Sequence, residues 1–122
     1  MRDHNKLSAF KLADELALMV YRITKTFPKE EIYGLTSQMR RAAVSVPSNI
    51  VEGCARETQV EYLRFLEIAF GSLRELKYQY DFAGRLNYIA ESEIQKGKSK
   101  IDDTEKVLSA LIRSLRKPRI SP

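Results

Sequence analysis

Six side chains between Arg40 and Arg56 are the ones in this chain best suited to hold or position a charged group. They are Arg40, Arg41, Ser45, Asn49, Glu52 and Arg56. Helical spacing of three or four residues gathers the last five onto one side of a helix, beside Pro47. Guanidinium groups bind phosphate through paired N–H donors, so Arg40, Arg41 and Arg56 are candidate nucleic-acid contacts. The same stripe suits a polar network fixing bundle or subunit geometry, built from Ser45, Asn49 and Glu52, with Glu75 reaching in from another helix. Both readings stand at this point. A Glu52–Arg56 ion pair is natural at four residues' separation. Pro47 inside the helix removes a hydrogen bond and crowds the preceding turn, at about 3 kcal/mol. That frees the Ala43 carbonyl, which the Ser45 and Ser48 hydroxyls could relieve.

Other chemistries lack their parts. The sole histidine, His4, lies near the N-terminus, so a Ser-His-Asp or Cys-His catalytic set has no anchored base. The sole cysteine, Cys54, falls on the apolar face of its helix, where an inert thiol is expected rather than a nucleophile. There is no Glu-x-x-His pair for a di-iron centre, and no cysteine–histidine set for zinc. Gly97-Lys98-Ser99 imitates the end of a phosphate-binding loop, but Ser92 stands where the loop needs glycine and no strand precedes it. The expectation is a protein with no catalytic residue, metal, cofactor or evident small-molecule substrate.

The elements that must position the stripe are helical. Apolar periodicity marks four helices, about 8–25, 36–54, 58–86 and 92–115, with no alternating strand pattern. Phe27-Pro28 stops the first, and Gly34 suits a left-handed exit from the turn that follows. Capping boxes at Thr58–Glu61 and Ser92–Gln95 open the third and fourth, and Pro118 forbids extension of the fourth. Short connections between long helices imply a single-domain, all-α, antiparallel up-down four-helix bundle spanning residues 1–122.

Charge and hydropathy bound the partners. The chain has 122 residues and a net charge of +5, from 21 basic and 16 acidic side chains. Arg113, Arg116, Lys117 and Arg119 lie in the last ten residues with no acid, leaving 17 basic against 16 acidic elsewhere. The basicity is thus mostly a tail, residues 116–122 with its approach, which either attracts phosphate or merely solubilises. No uncharged apolar run is long enough for a membrane span, and Asp14 and Glu15 interrupt what would be a secretory signal. A cytoplasmic protein is expected.

Two features point to assembly. The third helix carries Leu63, Phe65, Leu66, Ile68, Phe70, Leu73, Leu76, Tyr80 and Phe82 around most of its circumference, more than one bundle face can bury. Gly53 and Gly71 each cost a helix roughly 1 kcal/mol, which a close crossing of the second and third helices would explain.

The segments YGLTSQMRRAAVSVPSNIVEGCAR and EYLRFLEIAFGSLREL resemble the 23S rRNA intervening sequence proteins, also called S23-type ribosomal proteins. The likeness spans Phe10 to about Ala83, with Val51 where the family usually shows alanine. It implies a small cytosolic bacterial four-helix bundle assembling into a homopentameric ring, with no established enzymatic activity. A related bundle group assists reverse transcriptases of diversity-generating retroelements and binds nucleic acid through a basic surface. The sequence therefore leads to a non-enzymatic oligomer binding RNA or DNA through Arg40, Arg41, Arg56, Arg113, Arg116, Lys117 and Arg119. Its rival is a structural or adaptor oligomer whose stripe is an internal or interface network.

Overall fold

Four α-helices, α1 (Ser8–Thr24), α2 (Leu35–Cys54), α3 (Gln59–Arg85) and α4 (Glu91–Arg116), account for most of the computed structural model, which describes residues 2–116. Short 3-10 turns at His4–Lys6 and Lys29–Glu31 precede α1 and α2, and the described residues contain no strand. Each helix packs on its neighbours in the chain, and α4 closes back on α1. Pairings run in opposite senses along adjacent helices. Arg22 meets Glu93 and Glu15 meets Lys100 between α1 and α4, while Arg74 meets Glu105 and Glu67 meets Arg116 between α3 and α4.

The core is aliphatic and fills the centre with Leu16, Met39, Ile50, Leu66, Leu73, Leu76, Ile101 and Leu108, all essentially inaccessible. Burying each such side chain contributes roughly 1.5–3 kcal/mol. On α1, Leu16, Met19, Val20 and Ile23 are buried, whereas Leu12 is half exposed.

Helix ends show where local sequence decided and where it did not. Thr58 Oγ1 accepts from the Glu61 amide at 3.2 Å, the expected cap of α3. Asn87, with φ 62°, ends α3 in the left-handed region; its amide donates to Gly84 O and that of Tyr88 to Ala83 O, a Schellman closure. Two expectations need correction. The Ser92–Gln95 cap does not form, because α4 begins one residue earlier, at Glu91, and places Ser92 inside its first turn. Gly34 is not left-handed; at φ −116° and ψ −117° it precedes α2 and leaves room for Glu31. A Cβ on Gly34 would lie 2.7 Å from Glu31 Oε1, the atom that accepts from the Leu35 amide at 3.1 Å. The other carboxylate oxygen of Glu31 accepts from Tyr88 Oη at 2.8 Å. The Leu35 amide first, and the Tyr88 hydroxyl second, hold the Glu31 carboxyl below its ordinary range. A carboxylate four residues upstream, itself held by the distant Tyr88, thus caps α2, a role that no N-cap pattern at Thr36 or Ser37 announces.

Tyr80 ties α3 to α4. Its hydroxyl donates to Glu93 O at 2.8 Å, with Ile94 O at 3.1 Å, and its ring lies over Gly97. Burial foremost, and the Glu93 carboxylate next, push this phenol from 10 up to about 12. A raised phenol stabilises the fold fully below the unfolded value and loses that contribution as pH climbs through the folded one. Unfolding free energy is therefore expected to fall between about pH 10 and about 12. Urea unfolding across that range should show a steeper decline for the wild type than for Tyr80→Phe, which lacks the titrating group; identical declines would contradict this assignment.

Candidate functional site

The proline helix does not hold its polar stripe as one site. α2 continues unbroken through Pro47, which is buried. Ser45 Oγ lies 2.8 Å from Ser72 Oγ on α3, and Asn49 Nδ2 donates to Ser45 O at 2.8 Å and to Ser45 Oγ at 2.9 Å. Three half-buried polar side chains thus form a short network in the α2–α3 seam. The Ser45 hydroxyl is spent across helices and not on the carbonyl that Pro47 frees. Ser72 is the member that α2 alone does not reveal; its only signal in the sequence is its place beside Gly71.

Glu52 and Arg56 stand apart from that network. They pair with each other at 2.6 Å in solvent, and the Arg56 guanidinium lies 4.6 Å from the Phe65 ring centroid. Glu75 is exposed and accepts from Gln79 Nε2 at 3.3 Å, leaving the buried Gln79 Oε1 without a partner among the described residues. Gly53 does mark a close crossing: a Cβ there would lie 3.0 Å from Phe65 Cβ and 3.2 Å from Tyr62 O. Gly71 does not, since it is exposed and a Cβ would meet nothing within 4 Å.

The arginines divide by what they already hold. Arg40 is half-buried and faces α1, donating from Nε to Thr24 Oγ1 at 2.8 Å with its guanidinium 4.7 Å from the Tyr21 centroid. It braces two helices. Arg41 is exposed and, among the described residues, donates only to Gln38 Oε1, at 3.0 Å. Arg113 is exposed and donates to Ser109, and Arg116 pairs with Glu67. Lys117 and Arg119 lie outside the described residues.

The fold joins some of these to an arginine that sequence reasoning missed. Arg2 Nη1 donates to Arg56 O at 2.9 Å, and its guanidinium lies 4.1 Å from the Tyr62 centroid. Gln59 Nε2 donates to Leu115 O at 3.2 Å, drawing the start of α3 against the end of α4. Arg2, Arg56 and Arg116 therefore sit at one end of the helices, with Arg113 one turn inward. Nothing marks Arg2 locally, because its place depends on contacts 54 residues away.

Among the described residues, the sole cysteine and the sole histidine stand in no nucleophile–base arrangement. Cys54 is buried, and burial chiefly pushes its thiol up, which disfavours the reactive thiolate. His4 lies edge-on to Phe10, 4.7 Å between centroids. Gly97 of the imitation phosphate loop is inside α4, covered by Tyr80.

A family model described as 23S rRNA-intervening sequence protein matches residues 5–110. The chain belongs to that family. No curated protein matches. The family fold also appears in a solved structure from Bacteroides thetaiotaomicron VPI-5482, described as a protein with unknown function from the S23 ribosomal protein family. This chain is similar to it at a TM-score of 0.78 and 18% identity, covering 86% of this chain and 95% of that one. That likeness supports the four-helix fold and carries no activity with it. Among the described residues of this family member, no helix is long and apolar enough to cross a membrane.

Proposed function

We propose that this protein is a non-enzymatic, cytoplasmic, up-and-down four-helix bundle that assembles into a homo-oligomeric ring and binds RNA or other nucleic acid. The opposed pairings along adjacent helices support the up-and-down topology. Apolar side chains left in water support self-association: Val60, Ile68, Tyr78 and Phe82 of α3 remain exposed in the single chain. Five copies is the number that family resemblance implies.

The observation that carries nucleic-acid binding is the gathering of Arg2, Arg56, Arg113 and Arg116 at the end of the bundle from which the basic tail continues in sequence. Two of them hold carboxylates, Glu52 and Glu67, in exposed pairs. Such pairs are worth about 0–1 kcal/mol, so a phosphate can displace them at little cost. Arg41 stands as an outlying contact, and Arg40 serves the fold. Lys117 and Arg119 add sequence-independent attraction. A ring repeats this modest patch and raises avidity without a strong site on each subunit.

Single-stranded RNA titrations compare the wild type with Arg113→Glu/Arg116→Glu at fixed low salt. The variant is expected to bind at least about tenfold more weakly and to lose about 0.7 of salt slope for each phosphate contact removed. Equal binding by the two proteins would remove this end of the bundle from the account.

A second reading has its own support. The Ser45–Asn49–Ser72 bonds and the engagement of Arg40 suit a structural or adaptor oligomer with no nucleic-acid role. It expects assembly without RNA binding, and disruption of the oligomer by Arg41→Glu.

A further inference from the structure

An apolar groove of about 460 Å³ runs between α1 and α2, over Pro47. Phe10, Leu18, Tyr21, Val44 and Val51 line it, and Asp14 is its one charged residue. Leu18 is 68% exposed, an unusual position for leucine beside an open apolar floor. Along α1 the sequence Phe10, Asp14, Leu18 places an acid between two apolar side chains at steps of four, all on one face.

α3 carries the complement. Val60, Arg64 and Ile68 repeat the same steps of four with a base in the middle, and Val60 and Ile68 are 80% and 45% exposed. Neither Asp14 nor Arg64 makes a hydrogen bond or ion pair with any other described residue, although most charged side chains on α3 and α4 do. α1 and α3 are not neighbours in the bundle, no Cα of one coming within 8 Å of the other among the described residues, so the exposed patches do not satisfy one another within one chain.

From this matched pair we infer that the Val60–Arg64–Ile68 ridge of α3 seats in the α1–α2 groove of a second copy of this chain, with Arg64 against Asp14. The occupant follows from charge and shape: a concave apolar groove with one unpartnered acid, and a convex apolar ridge with one unpartnered base. Because groove and ridge are different surfaces on different sides, the contact is heterologous. Such a contact repeats from copy to copy and builds a ring where its rotation closes, whereas a twofold dimer would need one self-complementary patch. The inference rests on the self-association proposed above and assigns its surfaces.

Charge exchange on the full-length protein tests it. Both side chains are exposed, so Asp14→Arg and Arg64→Asp should keep the fold, as circular dichroism will show. Sedimentation velocity over a concentration series is expected to give an assembled wild type and, for each variant alone, a dissociation concentration raised at least about tenfold, since like charges then face each other. Combining both substitutions in one chain should restore assembly, because every groove then offers a base and every ridge an acid, the same pairing with its signs exchanged. Single variants that assemble like the wild type would overturn the assigned surfaces while leaving self-association intact. Loss in each single variant without recovery in the double variant would overturn the pairing. A wild type that stays monomeric at every concentration would overturn both this contact and the oligomer itself.

Discussion

Replacing Gly97 with alanine is expected to destabilise the fold by about 2 kcal/mol, although alanine is the better helix former. Inside a helix that change ordinarily gains about 1 kcal/mol. Here the added Cβ would fall within the Tyr80 hydroxyl and ring, and 2.7 Å from Cε2. Tyr80 is almost wholly buried, so its ring has nowhere to go without disturbing neighbours. Overpacking of this kind costs about 1–3 kcal/mol. Any shift of the ring also strips the hydroxyl from Glu93 O and Ile94 O, leaving a buried donor unsatisfied at about 1–3 kcal/mol. Urea unfolding of Gly97→Ala, Tyr80→Leu and the pair provides the check. Leucine shortens the side chain, so the double variant should be more stable than the two single losses add up to. A Gly97→Ala protein as stable as the wild type would contradict the packing described.

Gly53 and Gly71 are expected to respond in opposite directions to larger side chains. Gly53→Leu drives a branched side chain toward Phe65 Cβ and the Tyr62 backbone carbonyl, which would stand 3.0 and 3.2 Å from the first added carbon. Backbone cannot rotate aside as a side-chain tip can, so α2 must lift from α3. The expected loss is about 3 kcal/mol, at the upper end for overpacking. Separation at this crossing would also strain the Ser45–Ser72 bond farther along the same seam. Gly71→Ala has open space around its Cβ and should gain roughly 0.5–1 kcal/mol from helix propensity alone. Thermal melts of the two variants beside the wild type decide the matter. A Gly71 variant that loses stability, or a Gly53 variant that does not, would reverse the assignment of the close crossing.

Those two glycines show how far the sequence alone reaches. Both lie in helical patterns and look alike in one dimension; which one meets a neighbouring helix depends on the rotation of α2 and of α3 about their own axes, which periodicity leaves loose within a residue or two. Helix number and approximate limits were legible because core periodicity repeats over many residues, as with Leu66, Leu73, Leu76 and Tyr80 on α3. The Thr58 cap was legible because its partner, Glu61, is three residues away. Glu31 was not, since its partners are Leu35 and Tyr88, the second 57 residues distant. Gly97 was visible as a residue but not as the seat of Tyr80, which belongs to another helix.

The stripe on α2 shows the same divide. Sequence spacing set Asn49 beside Ser45 and anticipated the Glu52–Arg56 pair, contacts within one helix, but it also joined Glu52 and Glu75 to Ser45 and Asn49, which the fold keeps apart. It could not say that Ser72 completes the first group. Nor could it say that Arg40 turns toward Thr24 and Tyr21 while Arg41, its neighbour in the chain, faces solvent. Adjacent helix positions lie about 100° apart, so two arginines in sequence serve two surfaces. Arg2 entered the basic end only through the fold, by its bond to the Arg56 carbonyl.

The most direct test of the account is the affinity of the assembled wild-type protein for single-stranded RNA measured as salt is raised. Counterion release makes the logarithm of the binding constant fall linearly with the logarithm of salt concentration, by about 0.7 for each phosphate neutralised on a single strand. A ring presenting Arg56, Arg113 and Arg116 from several subunits is expected to give a slope of at least about −2 on this scale. Absence of binding at low salt, or binding that does not change with salt, would contradict it.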